Sequence, residues 1–186
     1  IGNIHDLRER GAKRALLISA TGTGKTYASA FALKNENPKK ALFIVHRELI
    51  AKQAIKSYRK VFGKTKKLAL LSGSSKEYDA DILFATMSMM AKKETLDRYK
   101  KDEFDWICID EVHRAGSESY QKIMSYFETD FWLGMTASPE RTDGFDIFNL
   151  FDHNIAYEIR LQQALKEDML CPFHYFGITD IEINGE

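Results

Sequence analysis

Cysteine is scarce in this sequence of 186 residues, which includes only Cys108 and Cys171, both in apolar surroundings. Two such thiols exclude a fold held together by a disulfide framework, and they suit burial in a reducing compartment. No apolar run is long enough to cross a bilayer, and no signal-peptide pattern opens the chain. We therefore expect a cytoplasmic protein that does not act at a membrane.

Metal-ligand spacing, internal repeats and low-complexity linkers are also missing. The five histidines do not form a ligand pattern typical of zinc. The length suits one domain with a sizeable core, or one domain and part of another. Because the sequence starts at Ile1 and its last stretch still resembles folded protein, we expect it to be a piece of a longer chain.

The net charge is zero, but the charges are unevenly distributed. Residues 1–101 contain 22 Lys and Arg against 9 Asp and Glu, whereas the remainder contains 5 against 18. Such an asymmetry favours a basic surface that meets a polyanion. A lysine-rich face that is merely solvated is the alternative, and charge alone does not decide between the two.

Six short apolar runs recur along the chain and predict strands. They lie at 15–18, 41–45, 68–71, 82–85, 106–109 and 131–135. Uninterrupted apolar runs are typical of strands whose two faces are both covered, as in parallel sheets. Helices are predicted at about 1–14, where Gly11 is a candidate stop, and at about 25–34, 48–61, 87–99 and 117–127. The alternation of strands and helices predicts a doubly wound α/β fold.

Two of these helices carry apolar side chains that we expect to pack against the sheet. The helix at 25–34 is predicted to bury Ala28, Phe31 and Ala32. The apolar residues of the helix at 48–61 are Leu49, Ile50, Ile55 and Tyr58.

The segment 19–26, Ser-Ala-Thr-Gly-Thr-Gly-Lys-Thr, follows the first apolar run and precedes a helix. A glycine-rich turn there allows backbone N–H groups and the helix dipole to converge on a phosphate. The Lys25 ammonium would reach the β- and γ-phosphates of a nucleotide, and the Thr26 hydroxyl would bind Mg²⁺. The other loop residues expected to bind the phosphates are Thr21, Gly22, Thr23 and Gly24. Ser19 replaces the first glycine of the general pattern, and a chance glycine-rich turn is the alternative.

Asp110 and Glu111 directly follow the apolar run at 106–109, at the strand end where open α/β sheets bind ligands. Asp110 can hold Mg²⁺ on the side that faces Thr26, and Glu111 can orient and deprotonate the water that attacks the γ-phosphate. An Asp-Glu pair that begins a helix is the alternative. Together with the phosphate loop, the pair predicts an Mg-dependent nucleoside triphosphatase.

In this order, the motifs resemble those of the first RecA-like domain of superfamily 2 helicases and translocases. The segment 110–113, Asp-Glu-Val-His, is similar to the family's DExH box, and 45–49, with Gln53, is similar to the motif after the second strand. The segment 136–138, Thr-Ala-Ser, is similar to the motif that links ATP hydrolysis to movement on nucleic acid. The resemblance covers most of the chain and implies a RecA-like P-loop NTPase, a three-layer sandwich with a mostly parallel central sheet.

The resemblance also implies roles for five further residues. Arg47 and Thr86 lie where the family contacts the sugar-phosphate backbone, although both also suit an ordinary surface. His113 lies where the family senses the γ-phosphate, and Thr136 and Ser138 lie where that signal reaches the nucleic-acid face. A local hydrogen bond at the start of a helix is the alternative role of His113.

The last part of the sequence resembles one subgroup of this superfamily. The segment 135–144, Met-Thr-Ala-Ser-Pro-Glu-Arg-Thr-Asp-Gly, resembles the helicase subunits of type I and type III restriction enzymes and related bacterial DEAD/DEAH-box proteins. It implies a RecA-like ATP-binding domain at 1–160 and a connector at 161–186, with a helix at 161–170 and a strand at 172–176. This connector would lead to a second RecA-like domain of the same parent chain.

The implied function is that of the motor domain of a DNA helicase or translocase, which uses ATP and Mg²⁺ to move on nucleic acid. DNA is favoured over RNA, and an RNA-directed ATPase of the same superfamily is the first alternative. A non-catalytic nucleic-acid-binding module with a vestigial nucleotide site is the second, although the presence of Lys25, Thr26, Asp110 and Glu111 argues against it. Without a second domain and its arginines, we expect the chain by itself to hydrolyse ATP poorly.

Overall fold

The structure, a computed structural model, describes residues 2–20, 24–114, 116–139 and 146–159. Within them the strands are β1 Arg14–Ser19, β2 Ala41–Val45, β3 Leu68–Leu71, β4 Ile82–Thr86, β5 Trp106–Ile109, β6 Phe131–Thr136 and β7 Ile155–Ile159. They form one sheet in the order β3-β4-β2-β5-β6-β1-β7, and every neighbouring pair is parallel. The prediction of an α/β fold with a parallel sheet is confirmed.

Helices cover both faces of this sheet. They are α1 Gly2–Glu9, α2 Lys25–Glu36, α3 Glu48–Phe62, α4 Met87–Met90, α5 Lys93–Leu96, a 3₁₀ turn at Val112–Arg114, α6 Glu118–Tyr126 and α7 Ile147–Leu150. Ala15 and Leu17 of β1 form one core with α1, α2 and α3, whereas Leu16 and Ile18 form a second core with α4 to α7. Because successive strand residues point to opposite faces, the two cores make a three-layer sandwich, as the resemblance implies.

Two helix predictions differ from the structure in extent. The first helix ends at Glu9, because Gly11 adopts a φ of 85° and the N–H groups of Gly11 and Ala12 turn back to the carbonyls of Arg8 and Leu7. The predicted helix at 87–99 is interrupted, since Lys92 is extended, with ψ of 135°, and begins α5 as a separate turn. Both differences are set by the local backbone conformation rather than by the apolar pattern.

The prediction that Phe31 is buried is wrong, and Leu49 and Ile50 are exposed as well. The exposed fractions of these three side chains are 44%, 65% and 38%. Small residues take the inward positions of α2 and α3, including Ala30, Ala32, Ala51 and Ala54. The two helices contact each other, and small side chains suit this close packing, whereas Leu33, Tyr58 and Phe62 are the larger residues that are buried in them.

A buried hydroxyl pair holds α2 against α3 close to the predicted phosphate loop. The Ser29 Oγ lies 2.9 Å from the Tyr58 Oη, and it also donates to the Thr26 carbonyl oxygen at 2.9 Å. The Tyr58 ring packs edge-on against Phe43 and Phe84 of the sheet. The first turn of α2 is therefore fixed to the sheet through α3.

Gly134 of β6 lies where a side chain would collide with the core. A Cβ at this position would be 2.6 Å from the Phe151 Cζ and 3.0 Å from the Leu16 Cδ2. We expect Gly134→Ala to lower the free energy of unfolding by about 1–3 kcal/mol, because a packed core does not absorb an extra methyl group without strain. Urea denaturation followed by circular dichroism measures this change.

Gly73→Ala is the matched control, since an added Cβ there meets no atom within 4 Å among the described residues. Its unfolding midpoint should stay close to that of the unmodified chain. Equal midpoints for the two alanine variants would contradict the packing of Phe151 against Gly134.

The structure also bears on the expected absence of a membrane span and on the two cysteines, but it does not describe the predicted connector. Within the described residues, no helix combines the length and apolar character that a bilayer span requires. Cys108 is buried with a free thiol, whose pKa is raised by burial, whereas Cys171 lies outside the described residues. The predicted helix at 161–170 and strand at 172–176 also lie outside them.

Candidate active site

The predicted site residues lie at one edge of the sheet, just beyond the carboxyl ends of its strands. β1 leads towards Lys25 and Thr26, β5 leads to Asp110, and β6 ends at Thr136. These three strands are neighbours in the order β5-β6-β1 and run parallel, so their ends meet at the same edge. Residues that are far apart in the sequence are therefore brought together where open α/β sheets bind ligands.

The phosphate loop starts at the end of β1 and ends at the first turn of α2. Gly24, the N-cap of α2, adopts a φ of 86°, which glycine does without steric cost. The Lys25 Nζ donates a hydrogen bond to the Ser19 carbonyl oxygen at 2.8 Å, so its side chain reaches the last residue of β1. The predicted phosphate-binding residues Thr21, Gly22 and Thr23 lie outside the described residues.

A cavity of about 390 Å³ opens between α2, α3 and the end of β5. It is lined by Gly24, Lys25, Thr26, Tyr27, Ile50, Gln53, Ala54, Ser57, Asp110 and Glu111. Both predicted motifs therefore contribute to one cavity, whose size suits a small-molecule ligand. Sequence reasoning missed Tyr27, Ile50 and Ser57 as lining residues, and Gln53 was noted only as part of a motif.

The charged groups of this cavity perturb one another. Burial lowers the pKa of the Lys25 ammonium, and the negative charges of Glu111 and Asp110 oppose that shift. Burial and the charge of Glu111 raise the pKa of the Asp110 carboxyl to about 6, while the Glu111 N–H and the Lys25 ammonium act in the opposite direction. The desolvated pair of Lys25 and Asp110 beside a second carboxylate is typical of functional sites.

The backbone fixes the two acids in different ways. The Asp110 N–H donates to the Ile44 carbonyl at 2.9 Å, which continues the pairing of β5 with β2. The Asp110 Oδ1 in turn accepts the Glu111 N–H at 3.0 Å. Glu111 itself adopts a φ of 52°, a conformation that non-glycine residues seldom take and that is concentrated at functional sites.

The donors in the cavity fit Mg²⁺. Within the described residues, no group of three or more His, Cys, Asp or Glu side chains is placed to hold a metal ion. In nucleotide sites, Mg²⁺ is usually bound by one or two protein oxygens, with phosphates and water as its other ligands. The Thr26 hydroxyl and the Asp110 carboxylate supply such oxygens in one cavity, where crowded negative charge favours a cation.

A chain of polar contacts leads from the acid pair to the end of β6. The His113 Nδ1 lies 3.0 Å from the Glu111 Oε2 and 3.2 Å from the Thr136 Oγ1. The Thr136 Oγ1 also accepts the Ser138 N–H at 3.1 Å. Thr136 is completely buried, so its hydroxyl is held in place between the two neighbouring segments. The predicted coupling residues are therefore in contact with one another.

The two residues predicted to bind nucleic acid differ in accessibility. Arg47 is exposed and is the N-cap of α3, at the edge where the strands end. Thr86, expected to suit a surface, is 5% exposed, and its Oγ1 has no hydrogen-bond partner among the described residues. Arg47 is thus open to a strand laid across this edge, whereas a phosphate contact of the Thr86 hydroxyl would require local opening.

Comparison with known proteins identifies relatives of the chain. The chain is similar to the endonuclease subunit of the type I restriction enzyme EcoAI from Escherichia coli. The two are 28% identical over an alignment 188 residues long, which covers 94% of this chain and 23% of that subunit. It is 24% identical to a Saccharomyces cerevisiae protein provisionally named ATP-dependent helicase IRC3, over 98% of this chain and 28% of that protein. The chain therefore spans about a quarter of the length of these relatives.

A solved structure shares the fold. It is that of a nuclease-deletion mutant of the Type ISP restriction-modification enzyme LlaGI in complex with a DNA substrate mimic, with a TM-score of 0.67 and 18% identity. The similarity covers 90% of this chain and 20% of that one. Residues 1–141 match the family described as type III restriction enzyme, res subunit. Because this match includes both motifs and most of the chain, the chain belongs to the family of the type III restriction enzyme res subunit.

Proposed function

We propose that the chain is the ATP-binding motor domain of a DNA helicase or translocase, in which Mg-ATP hydrolysis drives movement on nucleic acid. The proposal is carried by one cavity that contains Lys25, Thr26, Asp110 and Glu111, because triphosphate hydrolysis needs a cation, a metal ligand and a base at the same place. Two relatives support it by name, one as an ATP-dependent helicase and one as a restriction endonuclease subunit.

Four residues that line the cavity have defined chemical roles in this proposal. Lys25 exchanges its bond to the Ser19 carbonyl for the β- and γ-phosphates, beside the N–H groups of the loop. Thr26 and Asp110 would hold Mg²⁺, which would neutralise charge on the same phosphates. Glu111 orients the attacking water and accepts its proton on a carboxylate oxygen. The loop residues proposed to bind phosphate are Thr21, Gly22, Thr23 and Gly24.

The contacts of His113 support a role in coupling. Glu111 faces the nucleotide, and the His113 imidazole joins it to Thr136 and thus to the loop that contains Ser138. A change at the γ-phosphate that moves Glu111 must also change this chain of contacts. We infer that these residues transmit the nucleotide state to the edge of the sheet that faces nucleic acid.

Thr136→Ala combined with Ser138→Ala should separate hydrolysis from movement. Loss of the Thr136 hydroxyl removes the atom that contacts the His113 ring and accepts the Ser138 N–H. We expect ATP turnover to persist while strand displacement per ATP falls about tenfold, a size typical of coupling between sites. Parallel ATPase and strand-displacement assays measure both quantities. Thr65→Ala with Ser125→Ala removes two hydroxyls outside the site as a control, and an equal fall of both activities in the test variant would contradict the coupling role.

The proposal extends to the nucleic acid and to the parent chain. Arg47 contacts a backbone phosphate, and Thr86 does so if the segment around it opens. DNA is favoured over RNA, since the LlaGI mutant with the similar fold was solved with a DNA substrate mimic. We assign residues 1–160 to the motor domain and 161–186 to a connector that leads to a second RecA-like domain. The free thiol of Cys108 suits a cytoplasmic, reducing environment.

A panel of nucleic acids tests this function in the intact protein. We expect single-stranded or duplex DNA to stimulate ATP turnover about tenfold, and more than RNA of the same form, because the bound strand favours the closed, active arrangement. Heparin is the control for a general effect of polyanions. Stronger stimulation by RNA would favour the RNA-directed alternative, and an intact protein without ATPase activity would favour the vestigial site.

A further inference from the structure

A second and larger cavity lies beside the nucleotide cavity, at the carboxyl ends of β2, β4 and β5. Its volume is about 610 Å³. Its lining includes His46, Ser88, His113, Arg114, Ser117 and Tyr120. The two cavities are separated by the segment 110–113, because Glu111 lines the first and its contact His113 lines the second.

The polar groups of this second cavity suit an anion. Arg114 is an exposed cation, and Ser88 and Ser117 supply hydroxyls. None of the described residues that line the cavity carries a carboxylate. Ser117 is also the N-cap of the nine-residue helix α6, whose N-terminal dipole end favours negative charge. Both the side chains and the helix thus favour a ligand of negative charge.

Tyr120 provides an independent observation at the same place. Its side chain lines the cavity and is 2% exposed, yet its Oη has no hydrogen-bond partner among the described residues. A buried hydroxyl without a partner is unfavourable, and natural folds seldom retain one without a reason. Burial raises the pKa of Tyr120 to about 12, and the nearby charges of Asp110 and Glu111 add to this shift while Arg114 opposes it, so the phenol keeps its proton and can donate a hydrogen bond.

We propose that this cavity is a phosphate seat, in which one backbone phosphate of the nucleic-acid strand pairs with Arg114 and, after a local opening that uncovers the buried hydroxyl, accepts a hydrogen bond from the Tyr120 Oη. The inference rests on the proposed function and adds a site that its motifs do not include. A phosphate in the seat lies next to His113, which contacts both Glu111 and Thr136. In this seat, only the side chain of His113 would separate the bound strand from Glu111, the acid that faces the nucleotide.

Tyr120→Phe tests the seat without disturbing the fold. The substitution removes only the Oη, which makes no hydrogen bond to the described residues, so the melting temperature should stay the same or rise. Binding of a fluorescein-labelled single-stranded DNA to the intact protein, followed by anisotropy, should weaken about tenfold, the loss typical of one hydrogen bond to a charged group. Two DNA strands of unrelated sequence should lose the same affinity for the variant, since a phosphate contact carries no sequence information.

Tyr126→Phe is the matched control on the same helix. Its Oη donates to the Tyr99 carbonyl at 2.7 Å, so removing it should lower the melting temperature and leave DNA binding unchanged. Tyr120→Phe is thus expected to lose DNA affinity without losing stability, whereas Tyr126→Phe is expected to lose stability without losing DNA affinity. Equal DNA affinities for the two phenylalanine variants would overturn the seat.

Arg114→Gln tests the charge of the seat. The dissociation constant should rise, and the slope of its logarithm against the logarithm of salt concentration should fall by about 0.7, the value for one phosphate of a single strand. Arg10→Gln is the control, because Arg10 precedes β1 and so lies towards the opposite edge of the sheet. An unchanged slope in Arg114→Gln would overturn the seat while leaving the proposed function intact. Unmodified protein that binds no nucleic acid would instead contradict the proposed function itself.

Discussion

Replacing Lys25 by alanine is expected to lower the ATP turnover of the intact protein by about a thousandfold or more. The Lys25 ammonium shares its cavity with the carboxylates of Asp110 and Glu111. Burial lowers the pKa of Lys25, and the two carboxylates favour its charged form. Without it, a triphosphate would enter a cavity whose remaining charged groups are both acids. Removing one positive group from the site of phosphoryl transfer has effects of this size in related enzymes. Steady-state release of inorganic phosphate from ATP measures the loss.

Lys34→Ala is a matched control for this prediction. Lys34 lies on the same helix, and its Nζ donates to the Val61 carbonyl at the surface. The same substitution there removes an equal charge from α2 without touching the cavity, so turnover should remain unchanged. Equal ATP turnover in Lys25→Ala and Lys34→Ala would contradict a role of the cavity in hydrolysis. It would favour the alternative of a non-catalytic nucleic-acid-binding module with a vestigial nucleotide site.

The sequence predicts the sheet well because burial on both faces leaves a clear pattern. Every residue of β2 is buried, and the apolar run at 41–45 matches the strand residue for residue. The strand β7 is not predicted, because Glu158 interrupts its apolar residues, and Ile155 and Tyr157 are 38% and 44% exposed. The other edge strand, β3, is predicted because all four of its residues are apolar and buried, so a continuous apolar run depends on burial rather than on position in the sheet.

Helix faces are harder to predict, since their burial depends on what packs beside them. Leu49 and Ile50 are the larger apolar residues of the first turn of α3, yet Ala51 and Ala54 occupy the buried positions. Helical periodicity alone does not distinguish an alanine face that allows close packing from a face of large residues. The same limit applies to Phe31 of α2, which is exposed beside the buried Ala30 and Ala32.

The candidate site is predictable where a residue type is itself informative. Lys25, Asp110 and Glu111 could be selected because a cation after a glycine-rich turn and two acids after a strand occur in the same chain, and the two patterns together indicate a nucleotide site. The φ of Glu111 and the His113 contact with Thr136 depend on tertiary structure, and periodicity carries no signal for them. Tyr120 looks like an ordinary core aromatic in the sequence, and only its unpartnered hydroxyl among the described residues distinguishes it.

Glu111→Gln should leave nucleotide binding almost unchanged and lower hydrolysis by about 10²–10⁴-fold, the usual contribution of a general base. Glutamine keeps the size of the side chain and an oxygen that can face His113, but it does not accept a proton from water at neutral pH. The phosphates would still meet Lys25 and the N-terminus of α2. A fluorescent ATP analogue measures binding, and phosphate release measures hydrolysis.

Glu94→Gln, at an exposed position in the first turn of α5, is the control and should affect neither quantity. The comparison with Lys25→Ala then separates two roles in one cavity. The alanine variant loses affinity for the phosphates together with turnover, because a cation stabilises the bound triphosphate as well as the transition state. The glutamine variant loses turnover alone, because a base acts on water only as the reaction proceeds. If Glu111→Gln instead weakened nucleotide binding in proportion to turnover, Glu111 would be a ligand of the metal or nucleotide, and the base would have to be sought elsewhere in the cavity.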